Sequence, residues 1–505
     1  MPPTARAALL LAAALSSAVA GAAAIPDEDF GYVTVRPGAH SFYWLYGAAA
    51  PVARDTAPLA LWLQGGPGAS STGFGNLAEL GPRALLPNGT TVPRATSWVQ
   101  LANLLFLDNP VGAGYSYVDD AALLATNNSQ IAADIVTFLT ALVAKYPAFS
   151  TAPFHVFCES YGGKMSAGLS AALLAALDRG QLKMNFAGVA LGDSWISPID
   201  YVDTWAPYLI ATNLMDSTDA ATVAPATAAC DTAVAAGEWV AATNAWGAME
   251  SAIGGVTAGA NWYNILAYGV DEPVVGRGGP AAPPLSPLAA RAAPPGADLQ
   301  VLARAYQRTV AAPYGQRLGD YLSDYMNGAA RAHFNARGAV IPAGVTWGGQ
   351  SDAVFSALSG DFMRPVVDVV DGLLASGKLN VTVYNGQLDL ICCTLGTERW
   401  MARLKWPGMA AFYATPKVRA AARPGTRARL PQLTGLGSYP SPCLPPCLPS
   451  PQVPVALPGG GGVPGAFKKT ANNGLALWLV LQAGHMVPSD QGAMALAMVK
   501  DILGV

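Results

Sequence analysis

Phe154-His155-Val156-Phe157-Cys158-Glu159-Ser160-Tyr161-Gly162-Gly163-Lys164 is the stretch on which the reading of this chain turns. A short apolar run leads straight into Ser160, and a helical pattern follows. A serine on a tight strand-to-helix turn has its hydroxyl pushed above the sheet, as a nucleophile elbow requires. The turn closes only if the residues two before and two after the serine are small. Here they are Cys158 and Gly162, so a cysteine stands where glycine is usual.

A serine hydroxyl needs a base, and the base needs an orienting acid. In α/β-hydrolases these follow in the chain order Ser, Asp, His. Downstream of Ser160, Asp389 comes just after the apolar run Val381-Thr382-Val383-Tyr384. His485 comes just after another, Leu479-Val480-Leu481. Of the four histidines, His155 lies within the run before Ser160, His40 is N-terminal and His333 is in an Ala-rich block. Position and elimination both select His485 as base, with Asp389 as its orienting acid. The turn Gln64-Gly65-Gly66-Pro67-Gly68 follows an early apolar run and allows close backbone approach to an oxyanion. The two oxyanion donors are assigned to the N–H groups of Gly66 and Tyr161.

Around these landmarks, apolar runs at 58–63, 103–107, 154–157, 186–191, 380–384 and 475–481 read as buried strands. Helical patterns at 131–145 and 164–177 lie between some of them, and 487–503 reads as a closing helix. The expected fold class is α/β: a mostly parallel central sheet with helices on both faces, as in α/β-hydrolases. Residues 212–345 break the rhythm, being Ala-rich and mainly helical in pattern with a Pro/Gly-rich linker at 276–296. They read as an inserted helical cap between two parts of the core, 25–211 and 346–505. A second stretch rich in Pro, Gly and Arg, about 416–465, reads as a disordered insertion.

The composition excludes several classes. Of 505 residues, 52% are apolar and 12% charged, so a large core is available. The net charge of −3 has no basic block behind it, which leaves nucleic-acid or anionic-membrane binding without support. No histidine–cysteine spacing suits a metal, and no cofactor motif occurs. Residues 1–24 read as a secretory signal: Arg6, an apolar run from Ala7 to about Ala14, then small residues from Ala18 to Ala24. The dense apolar part is shorter than the ~20 residues a membrane span needs. Asn88, Asn127 and Asn380 begin Asn-X-Ser/Thr triplets, glycosylation acceptors in a secreted chain. Cys443 and Cys447 either bridge locally or stand as two free thiols.

The chain resembles the serine carboxypeptidases. The residues that carry the resemblance are Trp62 to Gly68, Leu105 to Tyr117, Glu159 to Met165, Phe186 to Pro198, Asn380 to Leu390 and Ala483 to Gly492. Together with what surrounds them, they cover about residues 28–270 and 320–503. The resemblance implies release of C-terminal residues from peptides, in a vacuole or lysosome or outside the cell. It further implies that Glu159 and Glu79 form a hydrogen-bonded pair holding the substrate's terminal carboxylate, with Gln64 and the N–H of Gly65. Gln64 stands where many relatives carry Asn. A cysteine at the spacing of Cys392 lies near the active site of some relatives and makes them mercurial-sensitive. Two carboxylates that share a proton cannot both ionise cheaply, so an acidic optimum for peptide substrates is expected. Two other outcomes share the scaffold: an acyltransferase using the same acyl-enzyme, and a secreted scaffold protein with a vestigial site. The roles of Tyr117, Asp193 and Trp195 stay open beyond shaping or supporting the pocket, and Lys164 reads as a packing or capping residue.

Overall fold

The computed structural model describes residues 23–267, 321–416, 454–456, 464–471 and 474–505. All but the end of the expected secretory signal lies outside them. So do the 276–296 linker, Cys443, Cys447 and most of 416–465.

Strands β1 (Glu28–Arg36), β2 (Ala39–Tyr46), β3 (Leu59–Leu63), β4 (Arg83–Leu85), β5 (Thr91–Pro93), β6 (Asn103–Leu107) and β7 (Tyr117–Val118) form the first part. Strands β8 (Pro153–Ser160), β9 (Asn185–Ser194), β10 (Asn380–Gly386), β11 (Pro454–Ala456), β12 (Pro464–Thr470) and β13 (Leu475–Val480) follow. The main sheet runs β1-β2-β6-β3-β8-β9-β10-β13-β12-β11, with β7 beside β2. From β6 to β13 every pairing is parallel, and both flanks are antiparallel. All six apolar runs expected from the sequence are the parallel strands. They were legible because both their faces are buried, which makes them near-continuous in apolar residues.

The two faces divide cleanly. Leu59, Leu61, Leu63, Val156, Cys158, Val189, Leu191, Val381 and Val383 point into one core. Ala60, Trp62, Phe106, Phe157, Ala190, Tyr384 and Trp478 point into the other. The first is covered by the helices Asn128–Lys145, Tyr161–Asp178 and Pro198–Ala211, and the second by the C-terminal helix Gly492–Leu503. The closing helix expected over 487–503 is interrupted: Val487–Asp490 and Gly492–Leu503 are separate pieces, because Gln491 between them has a non-helical φ of −129° and ψ of 53°.

The block 212–345 contributes to two places. Helices Ser217–Ala235 and Trp239–Val256 pack together, the first also on the Pro198–Ala211 helix and the second on the short helix Ser359–Phe362, and the loop after them reaches the loops beyond β10 and β13. Residues from 321 onward lie at the other end of the sheet. There Phe334 packs on Phe30, Phe42 and Trp44, and Arg337 pairs with Glu28 at 2.7 Å. No helix among the described residues is long and apolar enough to cross a membrane.

Candidate active site

The parallel strands end on one edge, and the loops leaving that edge carry the site, as in open α/β sheets generally. Ser160 is the last residue of β8 and the N-cap of the helix Tyr161–Asp178, with φ 62° and ψ −132°. A non-glycine residue there costs about 1–3 kcal/mol and persists only where its surroundings over-determine it. They do so here. The Ser160 carbonyl accepts the N–H of Trp195 at 2.9 Å, and the Cys158 carbonyl accepts the Tyr384 hydroxyl at 2.8 Å. A Cβ on Gly162 would collide with the Leu63 carbonyl oxygen, so the elbow needs glycine at that position. Cys158 is tolerated two residues before the serine because its side chain is buried in the first core, against the Ala190 carbonyl. Ser160 itself is half-buried.

Asp389 and His485 stand on the loops after β10 and β13 and are both buried. His485 Nδ1 and Asp389 Oδ2 are 2.8 Å apart, and Asp389 Oδ1 accepts the Cys392 N–H at 3.1 Å. His485 is held from behind by its backbone N–H to the Tyr263 carbonyl at 2.7 Å, with the Tyr263 ring 5.1 Å from the imidazole. Its Nε2 is buried and makes no hydrogen bond with any described group, Ser160 included. Resting geometries of this kind commonly tighten only when substrate binds.

The glycine-rich turn lies over the elbow. A Cβ on Gly65 would press into the Ser160 Cβ and stand 2.8 Å from the Tyr161 nitrogen. Gly66 follows with φ 111°, a value suited to glycine. Gln350 holds the turn from above through Nε2 to the Pro67 carbonyl at 2.7 Å. Tyr161 opens its helix, where the first N–H groups have no intrahelical acceptor. The Tyr161 ring stacks on Phe362 at 5.9 Å, and its hydroxyl donates to Asp361 at 2.8 Å. Asp361 also pairs with Lys164 at 2.9 Å, deep in the protein. Burial pulls the Lys164 ammonium down to about 8 despite that partner. The packing role read for Lys164 therefore extends to an ion pair that ties the elbow helix to the segment around Phe362.

Beside the elbow sit Gln64, Glu79 and Glu159, all buried. The Trp62 indole donates to Gln64 Oε1 at 2.7 Å, and Gln64 Nε2 donates to Glu159 Oε1 at 2.8 Å. Glu159 Oε2 and both Glu79 oxygens receive no donor from any described group. The two carboxyls lie within hydrogen-bond reach of each other, so a shared proton satisfies both. Burial raises Glu79 to about 7. Burial first, then the charge of Glu79, drives Glu159 well above the usual carboxylate range.

The Ser71–Leu80 π-helix that carries Glu79 is anchored by Asp108, which carries no local sign of this role in the sequence. Asp108 accepts Ser70 Oγ at 2.7 Å, Thr72 N at 3.0 Å and Thr72 Oγ1 at 2.9 Å. Asp361, Gln350 and Tyr263 were also missed. They reach the site from segments far away in sequence and carry no local signal. Tyr117 stacks on His40 at 4.5 Å, while Trp195 packs in an aromatic cluster with Tyr201, Trp246 and Phe362.

Asn88 and Asn380 are exposed and Asn127 is half-buried as the N-cap of the helix Asn128–Lys145. Cys158, Cys230, Cys392 and Cys393 are free and buried. Asp389, Cys392 and His485 bring potential ligand atoms within 4.8 Å of one another. Asp389 and His485 already bond each other, and burial pushes the Cys392 thiol up, away from the thiolate a metal needs.

A serine on a strained strand-to-helix turn, at the C-terminal edge of this sheet, defines an α/β-hydrolase. Residues 26–504 match the family model described as serine carboxypeptidase. The chain is 41% identical over 474 residues to the retinoid-inducible serine carboxypeptidase of Mus musculus, covering 94% of this chain and 90% of that one. It is 32% identical over 492 residues to serine carboxypeptidase-like 51 of Arabidopsis thaliana, covering 94% and 92%. Among solved structures it resembles Kex1Δp, a prohormone-processing carboxypeptidase from Saccharomyces cerevisiae, with a TM-score of 0.70. That likeness covers 95% of this chain and 92% of that one at 17% identity, and speaks for the fold alone. The chain belongs to the serine carboxypeptidase family and is a hydrolase.

Proposed function

We propose that this chain removes C-terminal residues from peptides by acyl transfer through Ser160, with His485 as general base and Asp389 orienting it. Ser160 Oγ attacks the scissile carbonyl carbon and His485 Nε2 takes the hydroxyl proton. The oxyanion lies against the N–H groups of Gly66 and Tyr161. The C–N bond breaks as His485 returns the proton to the leaving amine, which departs as the free C-terminal residue. Water, deprotonated by His485, then attacks the acyl-enzyme and restores Ser160.

The observation that carries this reading is the buried Glu79–Glu159 pair bound to Gln64 next to the elbow. A general hydrolase has no use for two acids sharing a proton there. An exopeptidase does: in acid, with a proton on each carboxyl, one O–H bridges the pair and the other donates to the terminal carboxylate of a substrate, alongside Gln64 Nε2 and the Gly65 N–H. The same carboxylate is repelled as soon as the pair gives up its first proton and takes on a negative charge. Glu79 loses its proton near 7, so kcat/KM on a peptide with a free C-terminus should be highest in acid and fall as pH rises through that value. A peptide rate still climbing above neutral pH would sink the shared-proton account. For the triad, C-terminal truncation of a peptide library at acidic pH, read by mass spectrometry, should drop about 10⁴-fold or more in Ser160→Ala. An unchanged rate would leave only a vestigial site.

We further place the chain in the secretory pathway, ending outside the cell or in a vacuole or lysosome. The composition of residues 1–24 and the accessible Asn88 and Asn380 support this. The division into a core of 25–211 and 346–505 with the inserted block 212–345 belongs to the same proposal.

A further inference from the structure

Asp193, the penultimate residue of β9, stands next to the triad and is fully buried. It adopts φ 39°, one of five non-glycine residues at positive φ among the described residues, Ser160 being another. Strain of this kind is kept where something fixes the side chain. One oxygen is accounted for, since Asp193 Oδ1 accepts the Gly386 N–H at 2.7 Å. The other, Oδ2, is sealed from solvent and receives no hydrogen from any described donor. The Asp193 carboxyl as a whole lies within hydrogen-bond reach of the Asp389 carboxyl. Asp389 in turn already accepts the Cys392 N–H on Oδ1 and faces His485 on Oδ2. Two buried carboxylates in contact, both ionised, would repel strongly with no cation between them. A proton on one of them turns that repulsion into an O–H···O⁻ bond, the short and strong kind.

We infer that Asp193 is a positioning residue: a neutral carboxylic acid whose hydroxyl donates to Asp389, fixing the carboxylate that orients His485. The inference rests on the triad reading above. Asp389 remains the ion because it is the member with the imidazole and the Cys392 N–H to stabilise its charge. Asp193 has one backbone donor only. Burial foremost, then the charge of Asp389, drives Asp193 well above the usual carboxylate range. The groups that face it from neighbouring elements are Glu159 at the end of β8, Tyr384 on β10, Asp389 and Cys392 on the loop after β10, and Asp490 on the short helix after His485. Asp490 adds a further raising charge, and it is itself engaged with Asn264 Nδ2 at 3.0 Å and Gly484 N at 2.7 Å. The site thus holds two acid pairs near Ser160: Glu79–Glu159, joined to Gln64, and Asp193–Asp389, joined to His485 through Asp389.

The test uses the full chain and a neutral acyl ester without a carboxylate, which makes no demand on the Glu79–Glu159 pair. Asp193→Asn supplies an N–H in place of the O–H and keeps an oxygen for Gly386 N–H. Asp193→Ala supplies neither. Losing such outer-shell support typically costs 10- to 100-fold. The expected result is ester kcat in acid within about 3-fold of wild type for Asp193→Asn and down about 100-fold for Asp193→Ala. The alkaline limb caused by loss of the Asp193 proton should also disappear from the Asp193→Asn pH profile. Asp193→Asn falling as far as Asp193→Ala, or keeping the wild-type alkaline limb, overturns the inference. Ser160→Ala in the same assay separates the two claims. If it abolishes ester turnover while the Asp193 variants misbehave, only this inference falls. If it leaves turnover unchanged, the triad reading falls and takes this inference with it.

Discussion

Replacing Glu79 by Gln should remove a pH dependence of stability that the native protein carries. In the folded chain Glu79 holds its proton up to about 7, against an ordinary value of 4.5, because burial disfavours its charge. An acid raised in this way favours the folded state fully below the unfolded value. Its contribution is lost as pH rises from there through the folded value, because the unfolded chain has released a proton that the folded chain still binds. At 1.36 kcal/mol per pH unit, the interval from 4.5 to 7 corresponds to about 3 kcal/mol. In Glu79→Gln the amide donates to Glu159 without titrating, so this dependence vanishes. Calorimetric unfolding of both proteins at pH 4.5 and pH 7.5 reads the difference. Wild type should lose about 3 kcal/mol more than the variant between the two pH values, a differential of a few degrees in Tm. A gap between the two proteins that is the same at both pH values refutes the shared proton. A variant that gains on wild type as pH falls refutes it more directly.

Further outcomes follow from the packing. Gly162→Ala drives a methyl into the Leu63 carbonyl oxygen, and backbone cannot yield as a flexible side chain does. It should destabilise by about 1–3 kcal/mol and displace Ser160, lowering kcat on esters and peptides alike. Unaltered kinetics would mean the elbow relaxes freely. Lys164→Met leaves Asp361 buried with Tyr161 as its remaining side-chain donor and should cost about 3–5 kcal/mol, read as a lowered unfolding midpoint at neutral pH. An unchanged midpoint would show that the pair contributes nothing net.

The parallel core was legible in the sequence because a strand buried on both faces has to be apolar throughout, and six such runs stood out. β1 was not recognised because Glu28, Asp29, Tyr32 and Arg36 mix charge with aromatics on a half-exposed flank, and β2, though mostly buried, has its apolar run broken early by His40 and Ser41. The elbow around Ser160, and the order Ser160, Asp389, His485, could be read because each follows the end of an apolar run. Glu79 and Gln64 came only through family resemblance, since an isolated Glu in a helix carries no local sign of what it faces.

The sequence by itself therefore determined the strands, the turn and which groups stand as candidates for reaction, all of which depend on neighbours along the chain. Tertiary structure alone decided their environment. It put Glu79 against Glu159 and Asp193 against Asp389, pairs separated by scores of residues or more. It also brought Tyr263 to His485, and Asp361 to Lys164 and Tyr161. Protonation states follow from burial and from which charges end up adjacent, and neither quantity is local in sequence. In Ser160 the two meet: its turn could be read from eleven residues, but the strained φ of 62° is held through Trp195 and Tyr384, which the fold brings from two other strands.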